Sequence, residues 1–337
     1  MSFFNQFDQH DLDQRVSKRQ GETKLGEKVR LGLEGKKYVL IGVPESIGVK
    51  GNLGKAGTES LWEPFLEVFL NIQSTNGFDG RELSVLGSFD FSGIIPASEA
   101  SVQSWRNAVE QIDVAVSDLV EQVVLAGKVP IVIGGGHNNC YPIIKGVAEG
   151  LYATQKIPFP AINTVNLDAH ADFRMNEGRH SGNGFRYAFE AGYLQKYAVL
   201  GLSENYNAQS MIDEMKSSPQ IDVIFWEDIF LRKKFSFEQS MQRAKEFVMN
   251  TTYGVELDLD VIEDVLSSAM SPVGVTAIQA RQYVHHMASA EKVAYLHVCE
   301  GAIRMQDGRS DQSAAKLVAY LVSDFVKANK ECQNKRY

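Results

Sequence analysis

Cysteine is scarce: Cys140, Cys299 and Cys332 are the only three in 337 residues. An odd number without paired spacing argues against a disulfide framework or a cysteine zinc site, and points to reduced thiols in a cytoplasmic protein. Positive charge is short as well. The formal net charge is −8, which excludes nucleic acid or an anionic membrane as the main partner. No apolar run approaches the roughly 18 residues of a membrane span. The start, MSFFNQFDQHDLDQRVSKRQGE, lacks the basic-then-apolar order of a secretory signal. Neither G-x-x-x-x-G-K-[ST] nor G-x-G-x-x-G occurs, so the GGGH stretch at 134–137 is not one of the common nucleotide loops. Linkers, repeats and low-complexity segments are missing too. One domain is therefore expected over residues 37–337, preceded by a polar, lysine-rich arm at 1–36 that lies over the domain or over a neighbouring subunit.

What is present is an alternating α/β pattern. Hydrophobic residues make up 44% and charged ones 23%, values that support a sizeable globular core. Short apolar runs predict strands at 37–43, 83–87, 129–135, 161–168, 197–202, 222–226, 253–258 and 293–298. Helical spacing predicts helices at 101–126, 139–150, 205–217, 236–249, 276–289 and 311–328. Strands apolar on both faces and separated by helices imply a mostly parallel, eight-stranded sheet covered on both sides.

Three of these strands end in metal-type side chains. VPIVIGGGHNN delivers His137, TVNLDAHAD delivers Asp168, His170 and Asp172, and YGVELDLD delivers Glu256, Asp258 and Asp260. Ligands of open α/β sheets bind beyond the carboxyl ends of strands. Residues two apart on a strand share a face, so Asp168 and His170 aim at one point, as do Asp258 and Asp260. Asp172 joins them if the chain curls. A lone aspartate at a strand end is usually a cap or a turn residue. Four aspartates converging in a low-dielectric crevice are another matter, because they repel and lose hydration unless cations neutralise them. Oxygen-rich ligation with two imidazoles suits Mn²⁺, and six ligands suit two ions better than one.

The order GGGH, DAHAD, DxD resembles the ureohydrolase family of arginases, agmatinases and formimidoylglutamases, over most of the chain after the arm. GGGH, SGNGFR and LDLDVI…SPVGVTA are similar to the formimidoylglutamase branch. HNN at 137–139, Glu256 and CEGA at 299–302 depart from the family pattern. The resemblance implies a three-layer α/β/α arginase-like fold and a hydrolase of C–N bonds in linear amidines or guanidines with two Mn²⁺ per subunit. It further implies a small-molecule substrate and a homo-oligomer.

Carried over, His137 and Asp172 bind one ion, His170 and Asp260 the other, and Asp168 and Asp258 bridge them. Asp260 moves a proton to the leaving nitrogen, and Glu300, after VAYLHVC, binds the amidinium. His180 is a candidate proton shuttle. N-formimidoyl-L-glutamate carries two carboxylates, so donors should line the mouth; Arg186, Asn183 and Ser181 are the candidates, with Asn52 and Lys55 at the rim. Arginase, agmatinase or another guanidine hydrolase is the alternative enzyme. A metal-binding scaffold without turnover is the alternative from another class.

Overall fold

The computed structural model describes residues 3–334. In chain order they form β1 (Phe4–Gln6), α1 (Gln9–Arg15), β2 (Arg30–Leu31), β3 (Tyr38–Gly42), α2 (Ile47–Gly51) and α3 (Trp62–Leu70). Next come β4 (Leu83–Phe89), α4 (Val102–Leu125), β5 (Val129–Ile133), α5 (Cys140–Ala153), β6 (Ile162–Leu167), α6 (Gly184–Glu190) and β7 (Leu194–Leu202). The rest are α7 (Gln209–Ser217), β8 (Ile221–Phe225), α8 (Trp226–Phe230), α9 (Phe237–Val248), β9 (Tyr253–Asp258), α10 (Ala277–Ala288), β10 (Val293–Cys299) and α11 (Ser313–Asn334).

The strands make one sheet in the order β1-β4-β3-β5-β10-β9-β6-β7-β8, with β2 beside β4. Every pairing is parallel except that of β1 with β4. Alternation along each strand divides the core in two. Tyr38 and Leu40 of β3 face a layer built with α3, α9, α10 and α11. Val39 and Ile41 face the opposite layer with α4, α5, α6 and α7. This is the three-layer arrangement. Helices start where local chemistry sets them: Ser236 and Gln239 cap α9 reciprocally, and Thr276 and Gln279 do the same for α10.

The sequence predicts eight strands and the sheet has ten among the described residues. The two additions, β1 and β2, span three and two residues, too short to leave a periodic signal. Both lie before residue 37, in a segment whose described residues pack on the rest of the chain. Phe7, Leu12, Leu25 and Val29 enter the α3-side core, and Arg15 pairs with Glu63 of α3 at 2.7 Å. Among the described residues, no helix is long and apolar enough to cross a membrane.

The four central strands, β5, β10, β9 and β6, are neighbours. Each ends at a residue or turn that carries a charged side chain, so the order of the sheet brings 137, 168–172, 258–260 and 300 to one edge.

Candidate metal centre

After β5 the chain turns through Gly134 and Gly135, both at positive φ (93° and 77°). A Cβ on Gly135 would lie 2.5 Å from the Asn139 amide and 2.8 Å from the Val43 carbonyl oxygen, so only glycine fits this turn. The turn delivers His137, fully buried. Its Nδ1 lies 2.8 Å from Asp172 Oδ2, 3.2 Å from Asp168 Oδ2 and 3.3 Å from Asp258 Oδ2. A second group forms beside it, with His170 Nδ1 3.1 Å from Asp260 Oδ2 and 3.7 Å from Asp168 Oδ1. Asp168 thus stands between the groups. His137, Asp168, Asp172 and Asp258 offer ligand atoms to one point, and Asp168, His170 and Asp260 to another.

Local turns fix these carboxylates. Asp168 Oδ1 accepts from the His170 N–H at 2.7 Å, and Asp258 Oδ1 from the Asp260 N–H at 2.8 Å. Both are side chains closing a turn on the residue two ahead. Asp172 sits at φ 44°, and this left-handed step is the curl that swings it back beside His137.

Behind His137 stands Glu256 of β9, 3.4 Å from Nε2. Glu256 accepts from Tyr295 Oη at 2.6 Å and lies 2.6 Å from His297 Nδ1. Burial opposes its charge, but His297 and His137 outweigh burial and hold the carboxyl down at about 2. An ionised acid behind a ligating imidazole fixes the ring's tautomer and raises its basicity. The HNN departure also has a structural account. The Asn138 and Asn139 amides both donate to buried Glu45 Oε1, at 3.2 and 2.8 Å, together with the Gly136 N–H at 3.0 Å. Glu45 therefore anchors the turn that carries His137.

Charge is the difficulty at this centre. On protein charges alone, burial and then Asp168 push Asp172 up to about 6. Burial, Asp260 and Asp168 push Asp258 well above the usual carboxylate range. Glu300, at φ 60°, accepts from the His137 N–H at 2.9 Å and is pushed up to about 8, chiefly by burial. His137 Nδ1, Asp260 Oδ1 and Glu300 Oε2 are buried without hydrogen-bond partners. Orphaned donors and acids that cannot all be ionised together are what a divalent pair would satisfy, so the residues present fit one.

The centre opens to a crevice of about 410 Å³, with Asn52, Arg174, Ser181, Tyr206 and Glu300 among its lining residues. Ser181 and Asn52 both line this crevice, 3.3 Å apart through Asn52 Nδ2 and Ser181 Oγ. Lys55 pairs with Asp307 at 3.1 Å and does not line the crevice.

Three other expectations are corrected. Arg186, on α6, turns away: its fork grips Glu214, with Nη2 2.6 Å from Oε2, and Nη1 also reaches Glu190 at 3.1 Å. Asn183 is buried and occupied internally, accepting from Arg179 and the His180 N–H and donating to the Gly178 carbonyl. Helix α6 begins at Gly184, so residues beyond 183 rotate away from the crevice wall. His180 is buried, with Nδ1 accepting from the Gly182 N–H and Nε2 3.2 Å from Glu177. Burial, then Arg106 and Arg174, push it down to about 4. It does not line the crevice.

Sequence reasoning missed Arg174, the cation that lines the mouth. Its Nη1 donates to Asn52 Oδ1 at 2.9 Å and its Nη2 to Glu177 at 2.7 Å. The signal was there, because Arg174 continues the period-two series Asp168, His170, Asp172. Glu45 left no signal, since the partners that tie it to the His137 turn lie about 90 residues away.

A parallel sheet whose central strand ends gather four aspartates and two histidines defines an arginase-type protein. The Arginase family model matches residues 36–323, and the chain belongs to that family. It is 26% identical over 315 residues to the formimidoylglutamase of Psychrobacter cryohalolentis, covering 87% of each chain. Its fold is similar to the crystal structure of Trypanosoma cruzi formiminoglutamase with Mn²⁺ (TM-score 0.73, 17% identity, 91% of this chain and 98% of that one). The agmatine ureohydrolase of Thermoplasma volcanium is similar too (TM-score 0.69, 18% identity, 93% and 96%).

Proposed function

We propose that the protein is a dinuclear manganese hydrolase of linear amidines whose substrate is N-formimidoyl-L-glutamate, cleaved by water to L-glutamate and formamide. The observation that carries this is the pairing of an acid-rich metal centre with a cation, Arg174, at the mouth of the same crevice. The names of the curated relatives support the same substrate.

His137, Asp172, Asp168 and Asp258 would hold one ion, and His170, Asp260 and Asp168 the other. A Mn²⁺ pair at such a centre makes hydroxide available near neutral pH and stabilises charge developing on the attacked carbon's substituents. The protein's own residues do the rest. Glu300 presents its unpartnered Oε2 on the crevice floor to the amidinium N–H groups. Asp260, with Oδ1 free of other bonds, takes the proton released on attack and returns it to the departing nitrogen. Arg174 receives a substrate carboxylate in its planar fork, while Ser181 and Asn52 add polar donors beside it. Glu256 keeps His137 in the tautomer that offers Nδ1 to the centre.

A cytoplasmic, homo-oligomeric enzyme belongs to the same reading. Cys140 and Cys299 are buried and unpaired, as expected in a reducing compartment, and light scattering reads the assembly.

The deciding experiment incubates manganese-reconstituted protein with N-formimidoyl-L-glutamate, L-arginine and agmatine and assays formamide and urea. Formamide from the first substrate is expected. Urea from either guanidine without formamide overturns the assignment.

A further inference from the structure

Arg179 has no part in the chemistry above, yet it is one of the most heavily engaged side chains in the molecule. Only 2% of it is exposed. Its fork grips Asp113 of α4, with Nε 2.7 Å from Oδ2 and Nη2 3.0 Å from Oδ1. Nη2 also donates to the Asn138 carbonyl at 2.8 Å, and Nη1 to Asn183 Oδ1 at 2.9 Å. The guanidinium lies over the rings of Tyr141 on α5 and Tyr187 on α6, 4.9 and 4.7 Å from their centroids.

The partners are what matter. Asn138 is the residue after His137, in the turn that presents the imidazole. Asn183 closes the loop 173–183 from within, donating to the Gly178 carbonyl, and it follows Gly182, whose carbonyl accepts from the Arg174 N–H at 3.0 Å. That loop carries Arg174 and Ser181. Arg179 does not line the crevice itself. It joins the turn at the metal end to the loop at the substrate end.

We infer that Arg179 is a positioning residue that sets the spacing between the His137 turn and the Arg174–Ser181 loop. A buried ion pair is a poor source of net stability, because desolvation offsets its attraction and apolar residues of similar volume often replace it at no loss. What an apolar replacement cannot supply is a rigid fork reaching two separate segments at fixed angles. The inference rests on the amidine-hydrolase reading only for the substrate end of the crevice.

Two variants test it. Asp113→Leu with Arg179→Met removes the pair without stranding a charge. Arg179→Lys keeps the cation opposite Asp113 but cannot reach Asn138 and Asn183 together. For each, Mn²⁺ affinity is measured by titration calorimetry, KM and kcat on N-formimidoyl-L-glutamate, and the melting temperature. The expected result is Mn²⁺ binding weakened about tenfold, as for other residues that orient metal ligands, and KM raised about tenfold with kcat within about threefold. A purely structural role would lower the melting temperature and leave Mn²⁺ affinity and KM at wild-type values; that outcome in either folded variant overturns the inference. If the double variant does not fold, the lysine variant decides. If the wild-type protein does not turn over this substrate, the functional reading fails while the Mn²⁺ titration still decides the role of Arg179.

Discussion

Asp172 and Arg174 lie two residues apart in the chain, and they serve opposite ends of the crevice. The aspartate curls back through φ 44° to the metal centre. The arginine stays at the mouth, half-exposed, held by Asn52 and Glu177. A charge-assisted hydrogen bond to a carboxylate contributes about 1.5–3 kcal/mol. Arg174→Ala is therefore expected to raise KM for N-formimidoyl-L-glutamate about 10- to 100-fold with kcat changed only a few-fold, because the contact is made equally in ground and transition states. Steady-state kinetics on the Mn²⁺-loaded variant checks it, and an unchanged KM would remove Arg174 from substrate binding. Arg186 shows why residue type alone misleads. Both arginines follow the same motif region, but helix α6 carries the second to Glu214 and away from the crevice.

At the scale of elements, the strand-to-helix turns decide the geometry. The turn between β5 and α5 needs a left-handed step at Gly135, where a Cβ would meet Asn139 and the Val43 carbonyl. Gly135→Ala should cost about 1–2 kcal/mol from the backbone alone and shift His137, two residues on. A melting temperature lowered by a few degrees and weaker Mn²⁺ binding in titration are expected; wild-type Mn²⁺ affinity would show that the turn tolerates the change. Elements were the most legible level in the sequence. All eight strands with apolar runs and all six helices with helical spacing are present where the pattern predicts them. The missing pieces, β1, β2, α1, α2, α3, α6 and α8, are short, at nine residues or fewer, and short segments take their conformation from what they pack on rather than from their own period.

For the whole molecule, stability and metal binding are linked through charge. Asp172, Asp258 and Glu300 have raised pKa values on protein charges alone, Asp172 to about 6 and Glu300 to about 8. A carboxyl whose pKa is higher folded than unfolded stabilises the fold below its unfolded pKa. That contribution is lost as pH rises through the folded value. The metal-free protein should therefore lose stability between about pH 4 and pH 8 at this centre. Ions bound to the folded state add stability by mass action and remove the repulsion. The gap in melting temperature between Mn²⁺-loaded and EDTA-treated protein is expected to widen from pH 5 to pH 8 in calorimetric scans. A gap that stays constant or narrows would mean the acids do not carry this conflict.

The sequence by itself determined the layered α/β arrangement and nominated the six side chains of the centre, because both follow from local pattern. Apolar runs mark strands, and the acids and imidazoles stand at or just past the strand ends, where short local turns aim them. Only the tertiary structure decided which polar residues stand around that centre. Glu45, Glu256 with His297, and Arg179 with Asp113 meet through pairings of segments far apart in the chain, and Arg186 is drawn to Glu214 in the same way, while His180 and Asn183 are taken up by partners within their own loop. A buried polar group must find its partner wherever the fold places one, and no spacing along the chain records that choice.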